Sequence, residues 1–264
     1  MSEWLLGHEP WLHFSVLLIG LLGLGLLERG WPQRARLPYW PRWGQNLSLA
    51  LVATLALRLA VPISALEIAL WAESADFGLL RWFALPHALM LALTIVFLDA
   101  AIYWQHRVMH RFRWLWRVHR VHHSDTAFDV SLALRFHPFE IVLSMLYKLT
   151  VIAMLGAPAL AVVIYESLLL GFALWTHANL ALPARLDRAL RWLWVTPEMH
   201  RVHHSVERDE TDANYGNILS LWDRLFGTYV HSPRQPSQHM PIGLAEFREP
   251  SAQRLSALLE LPFR

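Results

Sequence analysis

The residues with the clearest capacity for chemistry are histidines, and one histidine-rich phrase occurs twice. HRVHHS stands at 119–124 and again at 200–205. Each copy spaces three histidines i, i+3, i+4, which places three imidazoles on one face of a helix. Three imidazoles on one helix face bring no packing benefit and concentrate positive charge when they are protonated. A bound cation would stabilise such a cluster of neutral rings. Because the flanking residues differ between the copies, we interpret them as two halves of one metal site and not as an internal duplication.

Three more histidines join this set. His106 and His110 are spaced i, i+4, so both rings share one helix face. His177 stands alone, and a lone histidine at a helix end is more often a hydrogen-bonding residue than a ligand. Its predicted position at the same depth as the others favours ligation here. The candidate metal ligands are His106, His110, His119, His122, His123, His177, His200, His203 and His204.

The ligand types restrict the metal. The chain has no cysteine, so only imidazole or oxygen can hold an ion. Closed structural zinc sites use four ligands and commonly include cysteine. Nine imidazoles are too many for one ion, but they suit two ions that keep open positions. Imidazole is compatible with iron, copper, zinc and nickel.

Apolar segments must position these histidines. Hydrophobic residues make up 55% of the 264 residues and the mean hydropathy is +0.30, both high for a soluble domain. A signal peptide is not expected, because no basic segment precedes the first apolar run and Glu28 and Arg29 follow it. The last two runs are separated by only three residues, which suits a tight hairpin. The apolar runs cover residues 11–27, 46–71, 85–104, 139–155 and 159–175.

Arginines orient this bundle. They cluster after the first run (Arg29, Arg34, Arg36, Arg42), after the third and after the fifth, whereas the other connections are poor in them. The positive-inside rule then predicts an outside N-terminus, five crossings and both HRVHHS copies on the cytoplasmic side. A shallow re-entrant hairpin for the last two runs would give the same charges. The net charge of +2 is too small to indicate nucleic-acid binding.

The order of these motifs resembles a known family. HRVMH at 106–110, HRVHH at 119–123 and HRVHH at 200–204 are similar to the three histidine boxes of the fatty acid hydroxylase and sterol desaturase superfamily. Similarity extends from Asp99 to about Thr228. It includes RFHPFE at 135–140, HAN at 177–179 and DANYGN at 212–217.

The resemblance implies a membrane-bound, non-haem di-iron oxygenase. Its fold would be an all-α bundle of four or five embedded helices with a cytosolic cap that holds two iron ions through the nine histidines. Zinc would be an acceptable substitute in purified protein. The expected reaction is O2-dependent hydroxylation or desaturation of a lipid C–H bond. We expect transmembrane helices in 1–98, the hydroxylase-like domain in 99–230 and a cytosolic tail in 231–264.

The same resemblance implies partners and supporting residues. A separate electron donor is expected, namely a ferredoxin, a cytochrome or a reductase. In a bacterium the protein would lie in the inner membrane. Asp99, Asp212 and Asn214 are candidate hydrogen-bond partners of the ligands, and they are equally typical of helix caps and turns. His137 precedes a proline, so we place it near the site and not among the ligands.

Two rival functions stay open. Some members of the superfamily cleave ether lipids or act on aldehydes. From another class, a histidine-rich membrane protein could carry haem or transport metal. Transport is disfavoured because the histidines collect at one depth, and haem needs only two axial histidines.

Overall fold

The computed structural model describes residues 2–35 and 39–264, and in these residues the secondary structure is helical apart from isolated β-bridges. Arg36, one of the arginines that orient the bundle, lies outside the described residues. Short 3-10 turns occupy Leu79–Trp82, Val130–Leu134, Pro250–Gln253 and Leu261–Phe263. The helices are α1 Ser2–Gly7, α2 Glu9–Gly30, α3 Tyr39–Ala60, α4 Ala65–Ser74, α5 His87–Arg111, α6 Arg113–His123, α7 Pro138–Leu155, α8 Ala159–Thr176, α9 Ala184–Leu190, α10 Pro197–His203, α11 Arg208–Thr211, α12 Leu221–Leu225 and α13 Leu255–Glu260.

The predicted all-α membrane bundle is confirmed. Within the described residues, five segments are long and apolar enough to cross a bilayer, which makes the chain an integral membrane protein. The second segment is broken, because Pro62 follows the end of α3 and a capping box of Ser64 and Glu67 starts α4. The segments are Glu9–Gly30, Pro41–Trp82, His87–Arg111, Pro138–Leu155 and Ala159–Thr176.

α7 and α8 are joined by the short connection 156–158, and α4 and α5 each pack against both of them. α2 packs on α8, α3 on α7, and α5 contacts both. Gly156 ends α7 in the left-handed conformation, with φ of +66°. A Cβ on Gly78 would lie 2.1 Å from the amide nitrogen of Gly156, so only glycine permits the α4–α5 connection to close on the hairpin tip. Inside the hairpin, Lys148 forms an ion pair with Glu166.

The opposite end of the bundle carries a cap, formed by α6 and by the chain that follows α8. Residues 231–264, expected as a tail, pack closely here, since α13 contacts α3 and the last turn contacts α6. Leu258 and Leu261 are buried with Leu49 and Val121. A buried ionic network adds to the apolar contacts, with Arg42 bonded to Asp125 at 2.8 Å. The cap is therefore held to the N-terminal half of α3 through both ionic and apolar contacts.

Candidate metal centre

The nine candidate histidines come together at the cap end of the bundle. His106 and His110 lie in the last two turns of α5, and His177 immediately follows α8. α6 and α10 bring the remaining six. They form two groups in which one nitrogen of each ring lies within 4.8 Å of the others. The first group is His106, His110, His119, His123 and His203, and the second is His122, His177, His200 and His204.

The two copies of HRVHHS face one another. The rings of His123 and His204 stack with centroids 4.5 Å apart, and those of His122 and His204 are 4.7 Å apart. Each copy contributes to both groups, because successive rings on α6 and α10 point to different sides of the contact. His203 joins the first group, whereas its neighbour His204 joins the second. The repeat thus builds two adjacent histidine groups, and each copy contributes rings to both.

The distances between ring nitrogens match those of metal ligands. The Nε2 atoms of His106 and His119 are 3.1 Å apart, and those of His119 and His123 are 3.2 Å apart. In the second group, His177 Nε2 lies 3.1 Å from His122 Nε2 and 3.0 Å from His200 Nε2. If two imidazoles bound one ion through metal–nitrogen bonds of about 2.1 Å at a right angle to each other, their nitrogens would lie about 3.0 Å apart.

Hydrogen bonds on the far side of the rings show that a cation suits this arrangement. His106 Nδ1 donates to the carbonyl of Tyr215 at 2.8 Å, and His119 Nδ1 donates to Glu140 at 2.6 Å. Both Nε2 atoms therefore present lone pairs to each other, and two facing lone pairs repel unless a positive ion lies between them. The buried Nε2 atoms of His110, His203 and His204 have no hydrogen-bond partner among the described residues. The donor set fits metal ions.

One short segment orients three rings of the first group. Asp212 Oδ1 accepts from His110 Nδ1 at 3.2 Å, and the carbonyl of Ala213 accepts from His203 Nδ1 at 2.7 Å. The carbonyl of Tyr215 accepts from His106 Nδ1 at 2.8 Å. Asn214 has a φ of +52° and anchors its side-chain amide on the carbonyls of Met199 and Val230. This 212–215 segment fixes the ring tautomers so that each Nε2 is free to bind metal.

The other expected supporting residues have different positions. Asp99 accepts hydrogen bonds from Trp222 Nε1 at 2.8 Å and from the Leu219 amide at 3.1 Å, and so anchors the 219–222 turn instead of a histidine. His137 caps α7, where its Nδ1 accepts from the amide of Phe139, and lies outside both groups. Asn214 acts on the backbone of its own segment. Of the four candidates, Asp212 directly contacts a ring of the cluster.

Burial keeps six of these imidazoles neutral. Loss of solvation lowers the pKa of His203 to about 3 and that of His177 to about 4. The pKa values of His122, His123, His200 and His204 also fall well below the ordinary value, first through burial and then through neighbouring imidazoles. Neutral imidazole is the form that binds metal, so the site is prepared for ligation at neutral pH.

Sequence reasoning missed two kinds of contributor. Glu140 lies within the RFHPFE segment, yet one carboxylate among many gave no sign that it would reach His119. Backbone carbonyls of Ala173, Ala213 and Tyr215 accept from ring nitrogens and have no residue-type signature. Aromatic side chains complete the shell, with Phe136 stacked on His122 at 4.4 Å. Such an apolar shell restricts water at the site.

This combination of an apolar helical bundle and an all-histidine cluster at its end defines a class of membrane metalloproteins. The fatty acid hydroxylase family model matches residues 91–228, just over half of the chain. The chain belongs to the fatty acid hydroxylase family.

Several curated proteins are similar to this chain. The ornithine lipid hydroxylase OlsE of Rhizobium tropici is 34% identical over 58% of this chain and 45% of its own length. The alkylglycerol monooxygenase of Xenopus tropicalis is 33% identical over 52% of this chain and 30% of its own. The cholesterol 25-hydroxylase of Rattus norvegicus is 22% identical over 53% and 46%. The chain thus spans less than half the length of these relatives. No solved structure matches it significantly.

Proposed function

We propose that this chain is a membrane-bound, non-haem di-iron oxygenase that hydroxylates or desaturates a C–H bond of a lipid. The observation that carries the proposal is the convergence of nine imidazoles, eight of them buried, into two groups at the end of an apolar bundle. The names of the three relatives support a lipid substrate, since each acts on a lipid or lipid-like molecule by its printed name. The hydroxylase-like domain would occupy residues 99–230.

The proposed ligands are the nine histidines, with five on one ion and four on the other. Bound iron would supply the O2-dependent oxidising chemistry that side chains lack. Zinc also binds imidazole well, so zinc in overproduced protein would not contradict iron in the cell. Glu140 and the 212–215 segment orient the rings through hydrogen bonds. Phe136 and Phe128 pack against the rings and shield them from water.

An apolar groove offers a route for a lipid chain. It has a volume of about 240 Å³ and lies between α5, α6 and α7, with Trp104, Met109 and Leu143 among its lining residues. Gln105 and Met109 in its lining adjoin His106 and His110 on α5, although no histidine itself lines the groove. In the first histidine group His106 is half-buried whereas the other four ligands are buried. A hydrocarbon chain that entered here would approach the centre without crossing water.

The arginine distribution supports a cytoplasmic location for the centre and, in a bacterium, residence in the inner membrane. We propose that a separate ferredoxin, cytochrome or reductase supplies the electrons, since these residues include no cysteine that could hold an iron–sulfur cluster. A second candidate function is oxidation of an ether lipid, which the similarity to alkylglycerol monooxygenase favours. Both reactions use the same centre and differ only in the bond attacked.

The test is product formation by purified protein in lipid nanodiscs. Iron would be added without oxygen, metal content measured, and the protein supplied with lipid extract, a reduced ferredoxin and isotopically labelled O2. We expect two metal ions per chain and lipid products that carry one labelled oxygen atom or lack two hydrogens, whereas ether cleavage would release an aldehyde. His123→Ala and His204→Ala are the matched inactive controls. A haem absorption band, or full turnover by both variants, would refute the proposal.

A further inference from the structure

One edge of the cap is apolar although it lies outside the five segments that are long and apolar enough to cross a bilayer. We define this apolar edge as residues 190–195 and 217–226, which follow α8 and include α12. The two stretches pair with each other in antiparallel fashion. The Val195 amide donates to the Ile218 carbonyl at 2.9 Å, and the Ser220 amide donates to the Leu193 carbonyl at 3.1 Å. The apolar edge is therefore one folded unit.

The apolar edge exposes four side chains, and none of them carries a charge. Its three charged residues are kept away from the surface, because Arg191 and Asp223 are buried and Arg224 is half-buried. Another part of the cap differs, since α11 exposes both Arg208 and Asp209. The four exposed side chains of the apolar edge, between 47% and 76% exposed, are Trp192, Leu193, Leu221 and Leu225.

Hydrogen bonds place the apolar edge at the depth of the membrane helices. Asp99, which accepts from the Leu219 amide and from Trp222 Nε1, is the middle residue of α5, twelve residues from either end. Asn217 Nδ2 donates at 3.4 Å to the carbonyl of Leu169, seven residues before the end of α8. At about 1.5 Å per residue, the two anchor points lie about 18 Å and about 10 Å inside the cap ends of these helices. The apolar edge thus reaches well into the zone of the apolar segments.

Packing of the apolar edge agrees with this depth. Ile218 belongs to the buried apolar cluster that α4, α5, α7 and α8 share. The ring of Trp194 lies 5.3 Å from that of Phe172 on α8, and the ring of Phe226 lies 4.7 Å from that of Trp104 on α5. Trp104 is itself 40% exposed. The apolar surface therefore continues without a break from α5, a membrane-crossing helix, onto the apolar edge.

The backbone of the apolar edge meets the requirement of a medium without water. Irregular backbone is tolerated at membrane depth only where the protein itself satisfies its polar groups. The Trp194 amide donates to the Leu190 carbonyl at 2.8 Å. The Arg191 carbonyl accepts from Ser220 Oγ at 2.6 Å and from Arg224 Nη2 at 2.8 Å. These bonds and the Asp99 contacts replace the water that an exposed loop would use.

We propose that the apolar edge is a re-entrant element, embedded in the lipid acyl chains of the bilayer leaflet on the cap side. Lipid is the partner that fits, because the exposed side chains are apolar, lie at the depth of α5 and α8, and extend the lipid-facing surface of α5. The embedded element also supports the histidines. Asp223 accepts from the amides of Tyr215 and Gly216 at 2.8 Å and 2.9 Å, and the Tyr215 carbonyl orients His106. The 212–215 segment is thus anchored from the membrane side.

Fluorescence quenching tests this position, and the absence of cysteine from the sequence makes single labels simple to introduce. The full chain would carry Leu193→Cys or Leu225→Cys, each labelled with a small environment-sensitive dye and reconstituted in phosphatidylcholine nanodiscs. Quenching by lipids that carry a nitroxide on the acyl chain would be compared with quenching by iodide in the water. We expect the acyl-chain nitroxide to lower the fluorescence of both labels about twofold or more, and iodide to have little effect. Because the labels report position and not turnover, the result is independent of the oxygenase proposal.

Ala245→Cys is the matched control. Ala245 is exposed and lies beside Arg208, which donates to the His110 carbonyl at the cap end of α5, so its label should be quenched by iodide and not by the nitroxide lipid. Circular dichroism and elution volume would check that each labelled variant folds as the unlabelled chain does. If iodide quenched the Leu193 and Leu225 labels as strongly as the control label, the apolar edge would face water and the proposal would be overturned. Labels that neither quencher reaches would also overturn it, since another protein chain would then cover the surface.

Discussion

Replacement of Glu140 tests how far the metal centre depends on hydrogen bonds behind its ligands. The carboxylate lies 2.6 Å from His119 Nδ1, and the two side chains are only 5% and 4% exposed. A hydrogen bond to a charged group contributes about 1.5–3 kcal/mol. Loss of such a partner of a metal-bound histidine typically costs about 10- to 100-fold in metal affinity. At about 1.4 kcal/mol per tenfold, the two estimates agree.

We therefore expect Glu140→Ala to weaken metal binding close to 100-fold, and Glu140→Gln, which keeps an acceptor but loses the charge, about tenfold. Affinity would be measured by competition with a chelator, followed by metal analysis of the protein. Glu28→Gln is a matched control, because Glu28 is equally buried but bonds the backbone amides of Val130 and Asn179 instead of a histidine. Wild-type metal affinity in Glu140→Ala would show that the ring orientation of His119 does not depend on this contact.

Three further predictions concern the two groups, acid stability and the cap. His123 and His204 belong to different groups, so His123→Ala and His204→Ala should each retain one of two ions and still insert into the membrane. Metal content would be measured by mass spectrometry, and loss of membrane insertion would contradict the prediction. Metal-free protein should lose stability below about pH 6.5. Burial lowers the pKa of folded His203 to about 3, so below pH 6.5 the unfolded state binds protons that the folded state does not. An unfolding temperature that does not change between pH 7 and pH 5 would disprove this. Burial raises the pKa of Asp125, but Arg42 and Arg135 outweigh it and lower the pKa to about 2. Asp125→Asn should thus cost about 3 kcal/mol or more of unfolding free energy above pH 4, seen as a lower melting temperature, and an unchanged value would mean that the buried network is dispensable.

The sequence was most informative where spacing alone decides geometry. Histidines at i, i+3 and i+4 must share a helix face, so the clustering of rings could be predicted before any fold was known. The division into groups of five and four could not, because it depends on how α6 and α10 cross. Hydrophobic runs located the five membrane segments, although the capping box after Pro62 was not anticipated.

Supporting residues were harder to predict, because they require knowledge of distance along and between elements. Asp99 precedes His106 by seven residues on one helix, and at about 1.5 Å per residue the two lie about 10 Å apart along the axis. That separation rules out a direct bond, and Asp99 binds Trp222 instead. Glu140 reaches His119 only because α7 packs beside α6, a tertiary contact with no local signature.

The 212–215 segment also dictates the order in which the centre can be made. This segment and α10 are synthesised after all five apolar segments, so neither histidine group is complete while the bundle is entering the membrane. A nascent chain that has reached residue 123 already carries five of the nine imidazoles, but it lacks the Tyr215 carbonyl that holds His106 in its binding tautomer. In the proposed oxygenase, metal loading would consequently be a late step of biogenesis, and the bound ion would reflect the metal supply of the compartment that the finished cap faces.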